Sequence, residues 1–291
     1  MEKNSISTKQ FIIFMAVAFG VAYIPLTFAG LALGRGNTIL FTLLFRFVAV
    51  FIPFAAVLIA RVPVKKLGYK IKVGFKKFIP SLIGAQLLSF IGSAIFLLIF
   101  KDKWTLSMDG FLSQFPQSTG NIFDSLGYTA EKLLPMMCLS SLAALPISQI
   151  LPSFGEEAGW RGVMYPYLKN KLGKTKGRIA GGILWGVWHW PLILLGGHFF
   201  GNGYWGAPVL GPIAVCVSLT AFGILIDHIY EKTDSILMAS LMHGGMNAAA
   251  VPLTLITVSD PSLSVFGPTA FGLISVIPVI IAAVIISRIR Q

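Results

Sequence analysis

The chain has 291 residues, of which 55% are hydrophobic and only 12% charged. A soluble domain carries roughly 25% charged residues, so this composition excludes a water-soluble globular fold. The formal charge of +12 raises nucleic acid as a partner, until its distribution along the chain is considered.

In chain order, eight apolar runs predict transmembrane segments of about 20 residues each: Phe11–Leu33, Thr38–Ala60, Ile79–Phe100, Leu133–Phe154, Ile179–Phe199, Pro208–Ile226, Ser235–Thr257 and Pro268–Ile286. Lipid offers bare backbone no hydrogen bonds and each run is longer than a barrel strand, so the spans are expected to be helices. The expected fold class is therefore all-α, a polytopic helical membrane protein with a single domain over residues 1–291. Lys3 and Lys9 precede the first run as they would in a signal peptide. Its uncharged stretch exceeds a signal core of about 7–15 residues, and it reads as a retained helix. Arg61–Lys77 alternates apolar with basic residues and is predicted to lie along the inner membrane surface. Lys101–Lys132 is polar and expected outside, without evident chemistry. Pro146 and Pro152 predict a kink late in the fourth run. Cys138 and Cys216 fall in different runs, as packing residues rather than a disulfide or metal pair.

With both termini inside, seventeen basic residues fall on the inner side: Lys3, Lys9, seven in Arg61–Lys77, five in Lys169–Arg178, Lys232, Arg288 and Arg290. The outer side holds four: Arg35, Lys101, Lys103 and Lys132. This is the positive-inside bias. The basic surplus orients the protein and meets anionic headgroups, and a nucleic-acid partner is set aside.

Ionisable side chains inside a span cost about 2.5–3.5 kcal/mol each on insertion scales, so they default to a functional reading. Here they are Arg46, Glu156, Glu157, Arg161, His189 and His243, with Asn247 as a polar companion. His198 and His228, at span ends, receive no role. Glu156 stands at the inner end of the fourth run. At 1.5 Å rise per residue, the two histidines lie roughly 12–15 Å from the inner surface. Three spans thus carry polar groups at one depth. Glu157 and Arg161 are four apart in the order that favours an ion pair, which leaves Glu156 turned about 100° away. His243 and Asn247 repeat the four-residue spacing, as do Trp185 and His189. Gly182 and Gly186 predict a close helix contact.

A glutamate, two histidines and a carboxamide suit hydrolysis of a peptide bond inside the membrane. The glutamate can act as general base toward water, and imidazole and amide N–H groups can stabilise an oxyanion. Alternatively, Glu156, His189 and His243 match a two-His, one-Glu zinc set with an open position, although no H-E-x-x-H helix is present. A non-catalytic membrane immunity or scaffold protein and a proton-coupled transporter are the competing readings.

Together, Glu156, Glu157 and Arg161 in "EEAGWR", Trp185 and His189 in "WGVWH", and His243 and Asn247 in "HGGMN" resemble the three motifs of the CAAX prenyl protease and bacteriocin-processing (CPBP, Abi) family of intramembrane proteases. Trp185 replaces the usual Phe. The resemblance runs over residues 133–252. It implies a conical cavity within the membrane, open to the cytoplasmic side. It also implies that Glu156 and His189 activate water, that His243 and Asn247 stabilise the oxyanion, and that Glu157 and Arg161 support the site, with zinc in some members. The substrate would be a membrane-associated protein or peptide, prenylated at its C-terminus in eukaryotes and archaea. In bacteria it would be linked to peptide maturation or bacteriocin self-immunity. A prokaryotic cell membrane is the expected location.

Overall fold

The computed structural model describes residues 6–70, 72–113 and 118–288; Lys3 and Arg290, counted above, lie outside them. Its helices in chain order are α1 (Thr8–Gly34), α2 (Thr38–Ile59), α3 (Phe75–Ile99), α4 (Ala130–Leu142), α5 (Ala144–Ser148), α6 (Ile150–Gly159), α7 (Tyr165–Leu172), α8 (Lys174–Trp188), α9 (Trp190–Gly196), α10 (Leu210–Thr233), α11 (Ile236–Ala248) and α12 (Ile277–Arg288). A two-stranded antiparallel ribbon pairs β1 (Trp104–Leu106) with β2 (Ile256–Val258). The protein is a polytopic helical membrane protein. Among the described residues, six helical stretches are long and apolar enough to cross a bilayer, and α12 is shorter.

Two of the eight expected spans are therefore redrawn. The fourth breaks at Ala143 and Gln149 into α4, α5 and α6. Pro146 and Pro152 each sit in the first turn of the helix after a break, where a missing N–H costs nothing. The chain then stays helical to Leu172, well past Phe154. In the eighth, helix begins only at Ile277. The apolar residues before it are apolar because they face protein: Ala270, Phe271 and Val276 are buried. Their non-helical backbone is satisfied internally, as membrane depth demands, with Ser93 donating to the Pro268 carbonyl at 2.6 Å and Ser218 to that of Phe271 at 3.0 Å.

Prolines govern the other irregular turns. A proline cannot donate to the carbonyl four residues earlier and its ring crowds that carbonyl. The π-turn Ala16–Val21 ends four residues before Pro25, and the π-turn Leu43–Val48 gives way to a 3-10 turn beginning four before Pro53. The π-turn Trp160–Met164 contains Gly162, four before Pro166. His189 interrupts α8 and α9 next to Pro191, and the orphaned carbonyl of Val187 accepts instead from the Tyr23 hydroxyl at 2.7 Å.

The core is aromatic, with Phe14, Trp160, Tyr165, Trp185, Trp188 and Phe222 buried, whereas Ile12, Phe28, Ile39, Phe47 and Leu98 point outward to lipid. Gly182 and Gly186 do make the expected close contact, against Thr220 and Cys216 of α10. On α6, a Cβ on Gly155 would stand 2.5 Å from the Val50 carbonyl oxygen, so glycine lets α6 seat against α2. Cys138 and Cys216 are free thiols.

Candidate active site

Glu156 and Glu157 lie midway along a continuous rod formed by α6, the π-turn and α7, not at the inner end of a span. The rod faces α11 on one side and α2 on the other. Glu156, His189 and His243 are 4%, 5% and 3% exposed, and Glu157 and Arg161 are wholly buried, so each polar atom needs a protein partner.

Those partners divide the two glutamates. On Glu156, Oε2 accepts from the indole Nε1 of Trp185 at 2.8 Å and of Trp160 at 3.2 Å. These neutral donors hold one carboxylate oxygen and leave the other to the cavity. Glu157 Oε1 accepts from Arg161 Nη1 at 2.8 Å and faces His243 Nδ1 at 2.9 Å. Glu157 thus pairs with Arg161, as the spacing predicts, and also tethers a histidine from another helix. Arg161 donates to the Gly223 carbonyl at 3.2 Å and lies over the rings of Tyr165 and Trp185 at 4.5 and 4.8 Å. A wholly buried cation is held by one carboxylate, one carbonyl and two π faces.

The hydrogen bonds also set the proton on each imidazole. His189 Nδ1 lies 3.0 Å from the Trp185 carbonyl oxygen. A carbonyl only accepts, so Nδ1 carries hydrogen and the neutral ring has a bare Nε2. His243 Nδ1 likewise donates to the Glu157 carboxylate, and its Nε2 can donate only as imidazolium. Trp185 stands edge-on to the His243 ring at 5.1 Å.

Glu156, Trp185, His189, His243 and Asn247 line one cavity of about 890 Å³, together with Arg46, Ser153, His198, Phe199 and Phe271. The structure brings every motif residue of the sequence reading to this cavity or directly beneath it. Leu33, Phe41, Gly110, Ser113, Gly201 and Ile256 also line it. The loop Lys101–Lys132, expected to hold no chemistry, therefore contributes Gly110 and Ser113 to the cavity wall.

Gly110, Ser113 and Ile256 on the cavity wall and the basic loops stand at opposite ends of the bundle. At the basic end Tyr167 stacks on Phe11 at 3.9 Å, Lys70 pairs with Asp234 at 3.0 Å, and Lys77 donates to the Lys232 carbonyl at 2.7 Å. Between that end and Glu157, Lys169 and Arg178 clamp Asp227 at 2.8 and 2.6 Å, and with Lys174 they also engage Glu231. This network closes the floor.

Among the described residues, no three His, Cys, Asp or Glu side chains are gathered as a metal-holding group. The set Glu156, His189 and His243 does not fit a zinc ion as arranged.

Three further residues escaped the sequence reading. Trp160 is four residues after Glu156, and that spacing was the available signal. His198 is enclosed by Phe41, Phe45 and Phe199 at 5.2, 5.6 and 4.1 Å rather than sitting near water. Phe45, on α2, stands edge-on to His189 at 6.2 Å. No local pattern announces either of these contacts between helices.

Residues 138–249, which hold all three motifs, match the family model described as type II CAAX prenyl endopeptidase Rce1-like. CAAX prenyl protease 2 of Methanococcus maripaludis is 28% identical over 144 residues, covering 48% of this chain and 46% of that protein. The alignment thus spans under half of the relative's length.

Proposed function

We propose that this chain, whose residues 138–249 are of the Rce1-like CAAX prenyl endopeptidase family, hydrolyses a peptide bond of a membrane-associated protein or peptide of the CAAX type, within its cavity. The observation that supports this reading is the asymmetric Glu156 carboxylate, with one oxygen held by two indoles and the other left unbonded, on the wall of a cavity that His189 also lines.

In the proposed reaction, Glu156, with His189 holding the water, takes the proton as the water oxygen bonds to the scissile carbonyl carbon. The carbonyl π pair moves to oxygen. That oxyanion accepts hydrogen bonds from Nε2–H of an imidazolium His243 and from the carboxamide N–H of Asn247. Glu157 supports the imidazolium through Nδ1, and Arg161 holds Glu157. The oxyanion pair then re-forms the carbonyl as the C–N bond breaks, its electrons leaving with nitrogen, which takes the proton back from Glu156. The donor arrangement supports a glutamate-based reaction, and no step runs through a metal.

Cells expressing the wild type and Glu156→Gln are compared for peptide termini. Termini present only with the wild type are expected, at equal membrane levels of the two proteins. Identical sets would remove the hydrolase reading and leave a binding or scaffold role.

A further inference from the structure

The reaction above leaves Tyr165 unused. It stands at the start of α7, four residues after Arg161 on the rod that carries the glutamates, and both side chains are wholly buried. Each keeps one polar atom without a hydrogen-bond partner among the described residues, the hydroxyl of Tyr165 and Nε of Arg161. Buried polar atoms are costly to leave unpaired, and two in one place call for a common partner.

The packing around Tyr165 brings those atoms together. Its ring lies against the Arg161 guanidinium, whose central carbon is 4.5 Å from the ring centroid. Two glycines clear the space: a Cβ on Gly181 of α8 would stand 2.6 Å from the ring, and one on Gly223 of α10 would stand 2.2 Å from the hydroxyl oxygen. The same Cβ on Gly223 would lie 3.5 Å from Arg161 Nη2, which donates to the Gly223 carbonyl. Nε–H and Nη2–H point along one edge of the planar guanidinium, so Nε also faces this gap. The neighbouring carboxylate is already taken, because Lys169 and Arg178 occupy both oxygens of Asp227.

Resting on the hydrolase reading, we propose that one buried water joins the Tyr165 hydroxyl to Arg161 Nε–H, and that Tyr165 is thereby a positioning residue for the reaction. A buried water takes about two to four polar partners, and this pair supplies a hydroxyl and a charged donor. The ring supports the guanidinium through its π face, and the water fixes the edge that Glu157 does not hold. Nη1 then stays on Glu157 Oε1, which in turn holds His243 Nδ1. Tyr165 acts on the oxyanion through Arg161, Glu157 and His243, without touching substrate.

The full chain, Tyr165→Phe and Tyr165→Leu are purified into phosphatidylcholine vesicles and compared on a substrate drawn from the termini that depend on Glu156. Removing a hydroxyl that bonds nothing should leave stability unchanged or raised, whereas removing one that holds a water should lower it. Tyr165→Phe keeps the ring, and it is expected to lower the unfolding midpoint and to reduce kcat about tenfold with KM unchanged. Tyr165→Leu also removes the π face and should lose roughly another tenfold. A high-resolution cryo-EM map of the wild type in a lipid nanodisc should show a density peak within hydrogen-bond reach of both atoms, absent from Tyr165→Phe. Unchanged kcat in Tyr165→Phe overturns the positioning role, and so does a fall in stability with kcat per folded molecule unaltered. A map without the peak, with the hydroxyl bonded to a protein group, overturns the water. In each of these outcomes cleavage that depends on Glu156 persists and the hydrolase reading stands. If no terminus depends on Glu156, that reading and the positioning role fall together, and the map alone decides the water.

Discussion

At the scale of single residues, the site works by occupying half of each polar group. Glu156 gives one oxygen to Trp160 and Trp185, and each histidine gives Nδ1 to a fixed acceptor. What remains faces the cavity already oriented, and this is what preorganisation contributes to a rate. Replacing both indoles by Phe keeps an aromatic ring at each place and removes two N–H donors. A hydrogen bond to a charged group is worth about 1.5–3 kcal/mol, so the double variant should lose at least tenfold in kcat while still inserting, as read by cleavage of a substrate found from the Glu156-dependent set. Exhaustive chelation should leave the wild-type rate unchanged, because the donors are not grouped for a metal; loss of activity restored by zinc would overturn the glutamate-based chemistry. Much of this scale was legible beforehand. Four-residue spacing paired Glu157 with Arg161 and set His243 with Asn247, since helical neighbours follow from chain order alone. The link from Glu157 to His243 was not, because 86 residues separate them and only tertiary packing closes that distance.

At the scale of elements, proline is the organising signal. The π-turn after the glutamates and the break at His189 each lie beside a proline that leaves a carbonyl four residues earlier without its donor. The turn at His189 sets the imidazole against the Trp185 carbonyl and the edge of Phe45. Pro191→Ala would let α8 and α9 join into one regular helix and release Val187 from Tyr23. The expected result is a protein of near-normal thermal stability whose kcat falls several-fold or more, measured beside Tyr23→Phe. That second variant strands a carbonyl and should cost about 1–3 kcal/mol in stability. The irregular turns could have been anticipated from Pro25, Pro53, Pro166 and Pro191, because the steric rule is local. The recast eighth span could not: Pro268 to Val276 is as apolar as a lipid-facing run, and hydropathy does not distinguish burial in protein from burial in lipid.

At the scale of the whole molecule, two rules converge on one test. The basic loops gather at the end where Lys169, Lys174 and Arg178 pair with Asp227 and Glu231, and Gly110, Ser113 and Ile256 line the cavity at the other end. Loop charge orients membrane proteins with the basic side inward, which predicts that the Ser113 end faces outward. In a variant with Cys138 and Cys216 replaced by Ser, a cysteine at Ser113 should react with a membrane-impermeant maleimide on intact cells, and one at Lys176 should react only after lysis. The reverse pattern would set the mouth inward, with the basic loops outside against their charge.

A vestibule that reaches deep into the bilayer from one side also reshapes the electric field. Solvent entering it carries the potential of the mouth side down to Glu156. The transmembrane voltage then drops mainly across the packed layer of Arg161, Arg178 and Asp227 beneath. A charge traversing that layer would gain or lose about 2.3 kcal/mol per 100 mV, whereas a proton arriving at Glu156 through the mouth crosses almost none of the drop. Under the proposed hydrolysis, the energised state of the host membrane is thereby kept apart from the protonation of the carboxylate assigned as general base.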